Sequence, residues 1–196
     1  MVRKIESGEH NKLVTLYTRE LGKIRVLAKS VKKNTSKQAG HLDLFNVVDF
    51  VAVPGKSYPI ITQAQSSDNF LRIKSSFAKA MAGFFILESF HRLIYEHEQD
   101  VVLWNFLNAQ LNKLEQVVSE KSALDALLAD FKKELLGVLG YRSSFAPPSR
   151  SASDGHSKAS EDKQSEEAID YFLQSLSAQR FSSLSLLNSL YDSKSV

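Results

Sequence analysis

Six cations between residues 23 and 37 are the part of the sequence best suited to chemistry, namely the binding of phosphate groups. They are Lys23, Arg25, Lys29, Lys32, Lys33 and Lys37, and no acidic residue lies among them. Cations within about 10 Å of one another can release the counterions of a polyanion together. Two residues of a strand span about 6–7 Å, close to the spacing of successive phosphates. The stretch therefore predicts binding to a nucleic acid backbone.

The charge of the whole chain is unevenly distributed. Residues 1–40 contain ten Lys and Arg against three Glu, whereas the rest of the chain contains 15 Lys and Arg against 19 Asp and Glu. A basic end joined to a mildly acidic body favours a polyanionic partner for the first forty residues. The alternative is a surface strand whose lysines only keep it soluble, but the local excess of positive charge is larger than solubility requires. Contacts to about five single-strand phosphates would give log K against log[salt] a slope of about −3.5.

Aromatic side chains could add base stacking to these phosphate contacts. Four aromatic residues fall in the strand-like segments: Tyr17, Phe45, Phe50 and Tyr58. Their apolar neighbours favour a core position for each, and Tyr17 is the best candidate for an exposed platform. The candidate DNA-binding residues are therefore Tyr17, Arg19, Lys23, Arg25, Lys29, Lys32, Lys33 and Lys37.

No pattern in the sequence indicates a catalytic site. His91 and His97 are six residues apart, which does not place them on one face of a helix. Glu88, inside an apolar run, is best explained as a buried carboxylate paired with Arg92 at i+4. Phosphate-loop, nucleophile-elbow and HExxH motifs are absent, and a chain without cysteine has no thiolate ligand, disulfide or cysteine nucleophile. We expect no enzyme activity, no cofactor and no metal.

Strands must position the cations. Strand-like segments cover 12–18, 20–29, 44–53 and 58–65. In the second segment, alternation predicts that Ile24, Val26 and Ala28 face inward while Lys23, Arg25 and Lys29 face outward. A short turn at Gly22 joins the first two segments into a hairpin. Four or five short antiparallel strands with no long helix are typical of a small closed barrel.

After Asp68 the apolar period becomes helical. Helices are predicted over 75–98, 103–118 and 124–138, with Gly140 as a C-cap. The serine-rich residues 143–165 lack periodicity and predict a flexible linker, and helical spacing returns at Ile169. The fold class is thus α+β, with a barrel over 1–67 and a helical domain over 68–196. No apolar run approaches the ~20 residues of a membrane span and the start is not a secretory signal, so we expect a soluble, cytoplasmic protein.

The block LYTRELGKI (16–24) resembles the amino-terminal domain of the RecO family of DNA repair proteins. Leu42 and Phe45 match the family's next motif, and ITQAQ (61–65) falls where the family has its last barrel strand. Further along, 84–99 and 135–141 match the first helix and the third-helix ending of the family's helical domain. The resemblance covers about 140 residues, and it is good through the first hundred.

The resemblance implies an OB-fold followed by a helical domain, in a protein that binds single- and double-stranded DNA and anneals complementary strands. It implies action with RecR, recognition of the C-terminal tail of single-stranded DNA-binding protein, and help in loading RecA on gapped DNA. The expected location is the bacterial cytoplasm at the nucleoid, with no membrane and no small-molecule substrate. The alternative is a protein-interaction adaptor whose OB-fold binds DNA weakly.

Two departures from the family pattern affect these expectations. Many members carry a cysteine zinc site after the motif that matches LGY (139–141), and this chain has no cysteine there. Met1 falls inside the family's first strand, so either the barrel has a shortened edge or the start codon lies upstream.

Trp104 and Phe181 are the candidate exposed aromatics for a partner on the helical domain.

Overall fold

The computed structural model describes residues 1–32, 36–97, 99–141 and 158–177, together with Ser183 and Leu186. Within these residues, five strands precede five helices. The strands are β1 (Arg3–Ser7), β2 (Asn11–Thr18), β3 (Gly22–Ala28), β4 (Val47–Val53) and β5 (Ile60–Asp68). The helices are α1 (Leu71–Ser75), α2 (Phe77–Leu93), α3 (Val101–Gln116), α4 (Lys121–Val138) and α5 (Lys158–Ser177). The predicted α+β class, with strands first and helices after them, is confirmed.

The five strands form one sheet in the order β1-β2-β3-β5-β4. All neighbours are antiparallel except β3 and β5, which run parallel through the pairs Leu27–Ile60 and Ala28–Ile61. This arrangement agrees with an OB-fold, which is a five-stranded and partly open barrel. The expectation of a closed barrel is wrong for the described residues, because β1 and β4 do not pair. Met1 helps to bridge the gap, donating to the Asn46 carbonyl at 2.6 Å and accepting from the Phe45 amide at 3.3 Å.

The β2–β3 hairpin forms as the sequence predicts. Gly22 has a φ of +64°, a conformation that glycine adopts without steric cost. The Thr18 hydroxyl accepts from the Leu21 amide at 2.9 Å and donates to the Gly22 carbonyl at 3.1 Å, which holds the turn. The predicted inner face of β3 is confirmed. Its three apolar residues are buried in a small core with partners from β2 and β5 (Val14, Leu16, Ile24, Val26, Ala28, Ile61 and Ala64).

The helical part packs around α2, whose Phe85, Ile86 and Phe90 are almost fully buried. The Asp100 carboxylate accepts from the Val102 and Leu103 amides and so caps the start of α3. Gly140 has a φ of +88° just after α4, as expected of a C-cap glycine. No helix in the described ranges is long and apolar enough to span a membrane.

The predicted linker over 143–165 falls only partly within the described residues, since 142–157 lie outside them. Residues 158–165 belong to α5, so the linker prediction is wrong there. Lys, Ala, Glu and Gln dominate this segment, and their helix propensity sustains a helix without an apolar period. Further along α5, Ile169 and Leu173 are buried in the helical core.

The larger of the two apolar cores is shared between the sheet and the helices. Tyr17 of β2 and Phe45, just before β4, are buried with the central residues of α2. Gly83 lets α2 approach closely, because a Cβ atom at this position would lie 2.7 Å from the Phe45 ring. The predicted Glu88–Arg92 pair is confirmed at 2.6 Å. Glu88 also accepts from the amide and hydroxyl of Ser183, which holds Ser183 against α2.

Candidate nucleic-acid interface

Lys23 lies at the junction between β3 and the end of α2. Its residue is only 6% exposed, so the prediction that it faces solvent is wrong. Its Nζ atom donates to the His91 carbonyl oxygen at 2.7 Å and also to the Ile94 carbonyl oxygen. Carbonyls at a helix C-terminus lack helical partners and carry the negative end of the helix dipole. Lys23 therefore caps α2 and fastens β3 to the helical part.

Arg25 stands two residues further along β3 and faces outward, as predicted. Its Nε and Nη2 atoms contact the two carboxylate oxygens of Glu96 at 2.8 and 3.1 Å. Its Cζ atom also lies 5.5 Å from the centroid of the Tyr58 ring. The Arg25 side chain keeps 42% of its surface exposed, so the ion pair leaves it accessible to a ligand.

The other predicted cations occupy three kinds of position. Arg19, Lys29 and Lys37 are exposed, and the Arg19 guanidinium lies 6.0 Å from the centre of the Trp104 ring. Lys32 pairs with Glu6 at 2.9 Å. Lys33 lies outside the described residues. The predicted basic segment therefore divides into exposed cations and cations that the fold already uses.

Tyr17, the predicted aromatic platform, is buried. It is 8% exposed, and its ring packs edge-on against Phe90 with centroids 5.6 Å apart. The prediction of exposure is therefore wrong, because the end of α2 covers this side of β2. Phe45 and Phe50 also pack into the two cores. Tyr58, by contrast, is partly exposed in the β4–β5 connection beside Arg25.

The β4–β5 connection lies against β3 and carries two further candidate residues, Lys56 and Tyr58. The Leu27 amide donates to the Pro59 carbonyl at 2.7 Å, which ties the connection to β3. Gly55 allows its tight path, because a Cβ atom there would lie 2.2 Å from the Tyr58 carbonyl oxygen. Lys56 is exposed at its tip. The basic segment that the sequence singles out ends at Lys37 and does not include Lys56, although the Pro54–Gly55 turn signal points to an exposed position there.

We call the resulting set the β3–loop surface: Arg25 of β3 and Lys29 just after its end, with Lys56 and Tyr58 of the β4–β5 connection. It combines two exposed lysines, one paired arginine and one aromatic ring. OB-folds bind oligonucleotides on the face of strands 2 and 3 and on the loops beside it, including the loop between strands 4 and 5. The arrangement can therefore hold phosphates and a base at the same time.

His91 lies beside this surface, at the end of α2. Its Nε2 atom lies 2.5 Å from Nη1 of Arg3, and its buried Nδ1 has no hydrogen-bond partner among the described residues. Burial, followed by the positive charges of Arg3, Lys23 and Arg92, lowers the pKa of His91 to about 4. The ring is therefore neutral at physiological pH.

Across the described ranges, no group of three His, Asp or Glu side chains could hold a metal ion.

Comparison with known proteins gives consistent matches. Residues 1–70 match the family model "Recombination protein O N terminal". A DNA repair protein RecO of Roseiflexus is 30% identical over 142 residues, which cover 72% of this chain and 48% of the relative. A RecO of Dehalococcoides mccartyi is 31% identical over 158 residues, covering 81% of this chain and 59% of the relative. The chain thus spans about half the length of the curated relatives it matches.

Proposed function

Because this chain belongs to the RecO family of DNA repair proteins, we propose that it acts in DNA repair and recombination by binding DNA on the β3–loop surface. The observation that carries the proposal is the contact of Arg25 with Tyr58, with the exposed Lys29 four residues after Arg25 and the exposed Lys56 two residues before Tyr58. Both lysines are exposed, so phosphates can reach them. Lys37 adds a third exposed cation in the connection between β3 and β4.

The finer activities are part of the same proposal. We propose binding to single- and double-stranded DNA, annealing of complementary strands, and loading of RecA together with RecR. The proposed partners also include the C-terminal tail of single-stranded DNA-binding protein. The family resemblance supports these activities. We further propose that the protein acts at the bacterial nucleoid in the cytoplasm, without an enzymatic step of its own.

A second function has support in the placement of the cations. Lys23 is buried, while Arg25 and Lys32 form ion pairs with Glu96 and Glu6. Fewer cations are therefore free for phosphate than the sequence suggests. This favours, as the competing proposal, an interaction adaptor whose OB-fold binds DNA weakly.

Filter binding of an oligo(dT) strand at several salt concentrations distinguishes the two functions. Three contacts, from Lys29, Lys37 and Lys56, at about 0.7 each give an expected slope of log K against log[salt] of about −2. This is shallower than the −3.5 expected from five contacts. A Lys29→Ala, Lys37→Ala, Lys56→Ala triple variant should bring the slope close to zero. A wild-type slope near zero would instead support the adaptor and overturn the DNA-binding proposal.

A further inference from the structure

The guanidinium of Arg25 is held along one edge by a carboxylate and lies near an aromatic ring. Glu96 engages its Nε and Nη2 atoms with both carboxylate oxygens, at 2.8 and 3.1 Å. Such a two-point contact lies in the plane of the guanidinium and fixes its orientation. Tyr58 lies against the group with a Cζ-to-centroid distance of 5.5 Å. The contact with Glu96 therefore gives a flexible side chain a defined plane, and Tyr58 is close enough to share a ligand with it.

This arrangement is poorly suited to a simple phosphate contact. The carboxylate of Glu96 neutralises the positive charge of Arg25 and occupies one edge of its hydrogen-bonding fork. The side chain still exposes 42% of its surface. A delocalised guanidinium stacks well on flat, aromatic partners, and unstacked nucleic acid bases commonly rest on arginine planes.

We propose that Arg25 and Tyr58 form a stacking platform for one unpaired base of single-stranded DNA, with the base lying on the guanidinium face. The inference rests on the proposed DNA-binding function and assigns a base-binding role within the β3–loop surface. Lys29 lies four residues after Arg25, just beyond the end of β3, and Lys56 lies two residues before Tyr58. Both lysines are exposed and available to the phosphates next to that base. Glu96 is a positioning residue, since it acts through Arg25.

The platform discriminates between single and double strands. A base in a duplex is stacked between its neighbours and cannot reach the guanidinium, whereas a base in a single strand can. Stacking depends on the π-face that every base presents, so it is tolerant of sequence. The platform therefore binds unpaired DNA of any sequence more tightly than the exposed lysines alone would bind it.

The test compares Arg25→Lys, which keeps the charge but lacks the plane, with Lys29→Ala, which removes a charge. Each variant is titrated with an oligo(dT) strand and with an abasic strand of the same phosphate count. We expect Arg25→Lys to weaken oligo(dT) binding roughly tenfold, the effect of one lost base stack, while abasic binding and the salt slope stay unchanged. Lys29→Ala should weaken both strands equally and make the slope shallower by about 0.7.

A second variant, Glu96→Gln, tests the positioning. Releasing the Arg25 guanidinium should let it contact phosphate, so the salt slope should steepen by about 0.7 while the preference for oligo(dT) over the abasic strand falls. Urea unfolding confirms that each variant is folded under the assay conditions. If Arg25→Lys loses the same affinity for oligo(dT) and for the abasic strand, or loses none for either, the platform is wrong. Salt-dependent DNA binding by the wild type would still support the DNA-binding function in that case. If the wild type binds without salt dependence, both proposals fail.

Discussion

The Nζ atom of Lys23 lies 2.7 Å from the carbonyl oxygen of His91, so a residue of the sheet caps a helix of the neighbouring layer. This contact joins positions 68 residues apart in the chain. It also withdraws one cation from the surface that the basic segment predicts. Lys23 of β3 and Lys29, just after the end of that strand, carry the same charge, yet the first is buried and the second is exposed.

Replacing Lys23 by Met should reduce stability and leave the salt slope of DNA binding unchanged. The His91 and Ile94 carbonyls would lose a buried donor, and leaving such groups unsatisfied costs about 1–3 kcal/mol. Urea unfolding measures the loss. Lys29→Met is the matched control, because Lys29 is exposed and should change DNA affinity with little effect on stability. A shallower salt slope in a fully stable Lys23→Met protein would contradict the assignment.

Lys56 should contribute to DNA binding, although it lies outside the basic segment. Lys56→Ala should make the salt slope for oligo(dT) shallower by about 0.7, since one phosphate contact is lost. Lys133→Ala is the control, because Lys133 is an exposed lysine of α4 on the helical part and its loss changes the net charge equally. Equal effects of the two substitutions would show that net charge, and not the β3–loop surface, attracts the DNA.

His91 should make the protein less stable in mild acid. Its pKa is lowered to about 4 in the folded protein, first by burial and then by Arg3, whereas the unfolded chain has the ordinary value near 6.5. Between these values unfolding takes up a proton, so stability falls as pH drops from about 6.5 towards 4. Urea unfolding at several pH values should show that the unfolding of His91→Gln takes up about one proton fewer near pH 5.3 than the unfolding of the wild type.

The amino group of Met1 also makes the folded state less stable as pH falls. This effect is present in both the wild type and the His91→Gln variant. Burial, and then Lys74, lowers its pKa to about 5, so it favours the folded state as pH rises from about 5 to 8. The comparison between wild type and His91→Gln therefore isolates the histidine. Identical pH profiles for the two proteins would refute the role assigned to His91.

Gly83→Ala should destabilise the junction between the sheet and α2. Helix propensity alone would favour Ala by about 1 kcal/mol, but the new methyl group would lie 2.7 Å from the buried Phe45 ring. Overpacking of this kind costs typically 1–3 kcal/mol, so we expect a net loss of about 1 kcal/mol in urea unfolding. Gly40→Ala has open space around the added atom and should be neutral. A stabilised Gly83→Ala protein would mean that the ring moves freely.

The sequence predicts the inner face of the sheet better than the outer face. Alternation shows that Ile24 and Val26 share one side of β3, and only a core can cover that side. It also shows that Lys23 and Arg25 share the other side, but it contains no information about what packs there. In the structure, the end of α2 and the connection that follows it cover Lys23 and Tyr17. Those covering residues lie about 70 positions later in the chain, beyond the reach of a local pattern.

The same reasoning explains the partial success with the candidate site. Lys29 and Lys37 are exposed as predicted, because charged residues next to turns rarely meet a second layer. The apolar neighbours of Tyr58 predict a core position, but its partial exposure depends on the path of the β4–β5 connection over β3. The family resemblance, carried by residues 16–24, agrees with the observed order of strands and helices.

The parallel contact between β3 and β5 has a consequence for the order of folding. The β1–β2–β3 meander and the β4–β5 hairpin each consist of strands that are near in sequence, so each can form by closing short loops. Joining them requires Leu27 to meet Ile60, which closes a loop of more than thirty residues. Non-local pairings of this kind form slowly, because the entropy of loop closure must be overcome before the contact can stabilise. We expect the β3–β5 seam to be the last part of the sheet to assemble and the first to exchange its amide hydrogens.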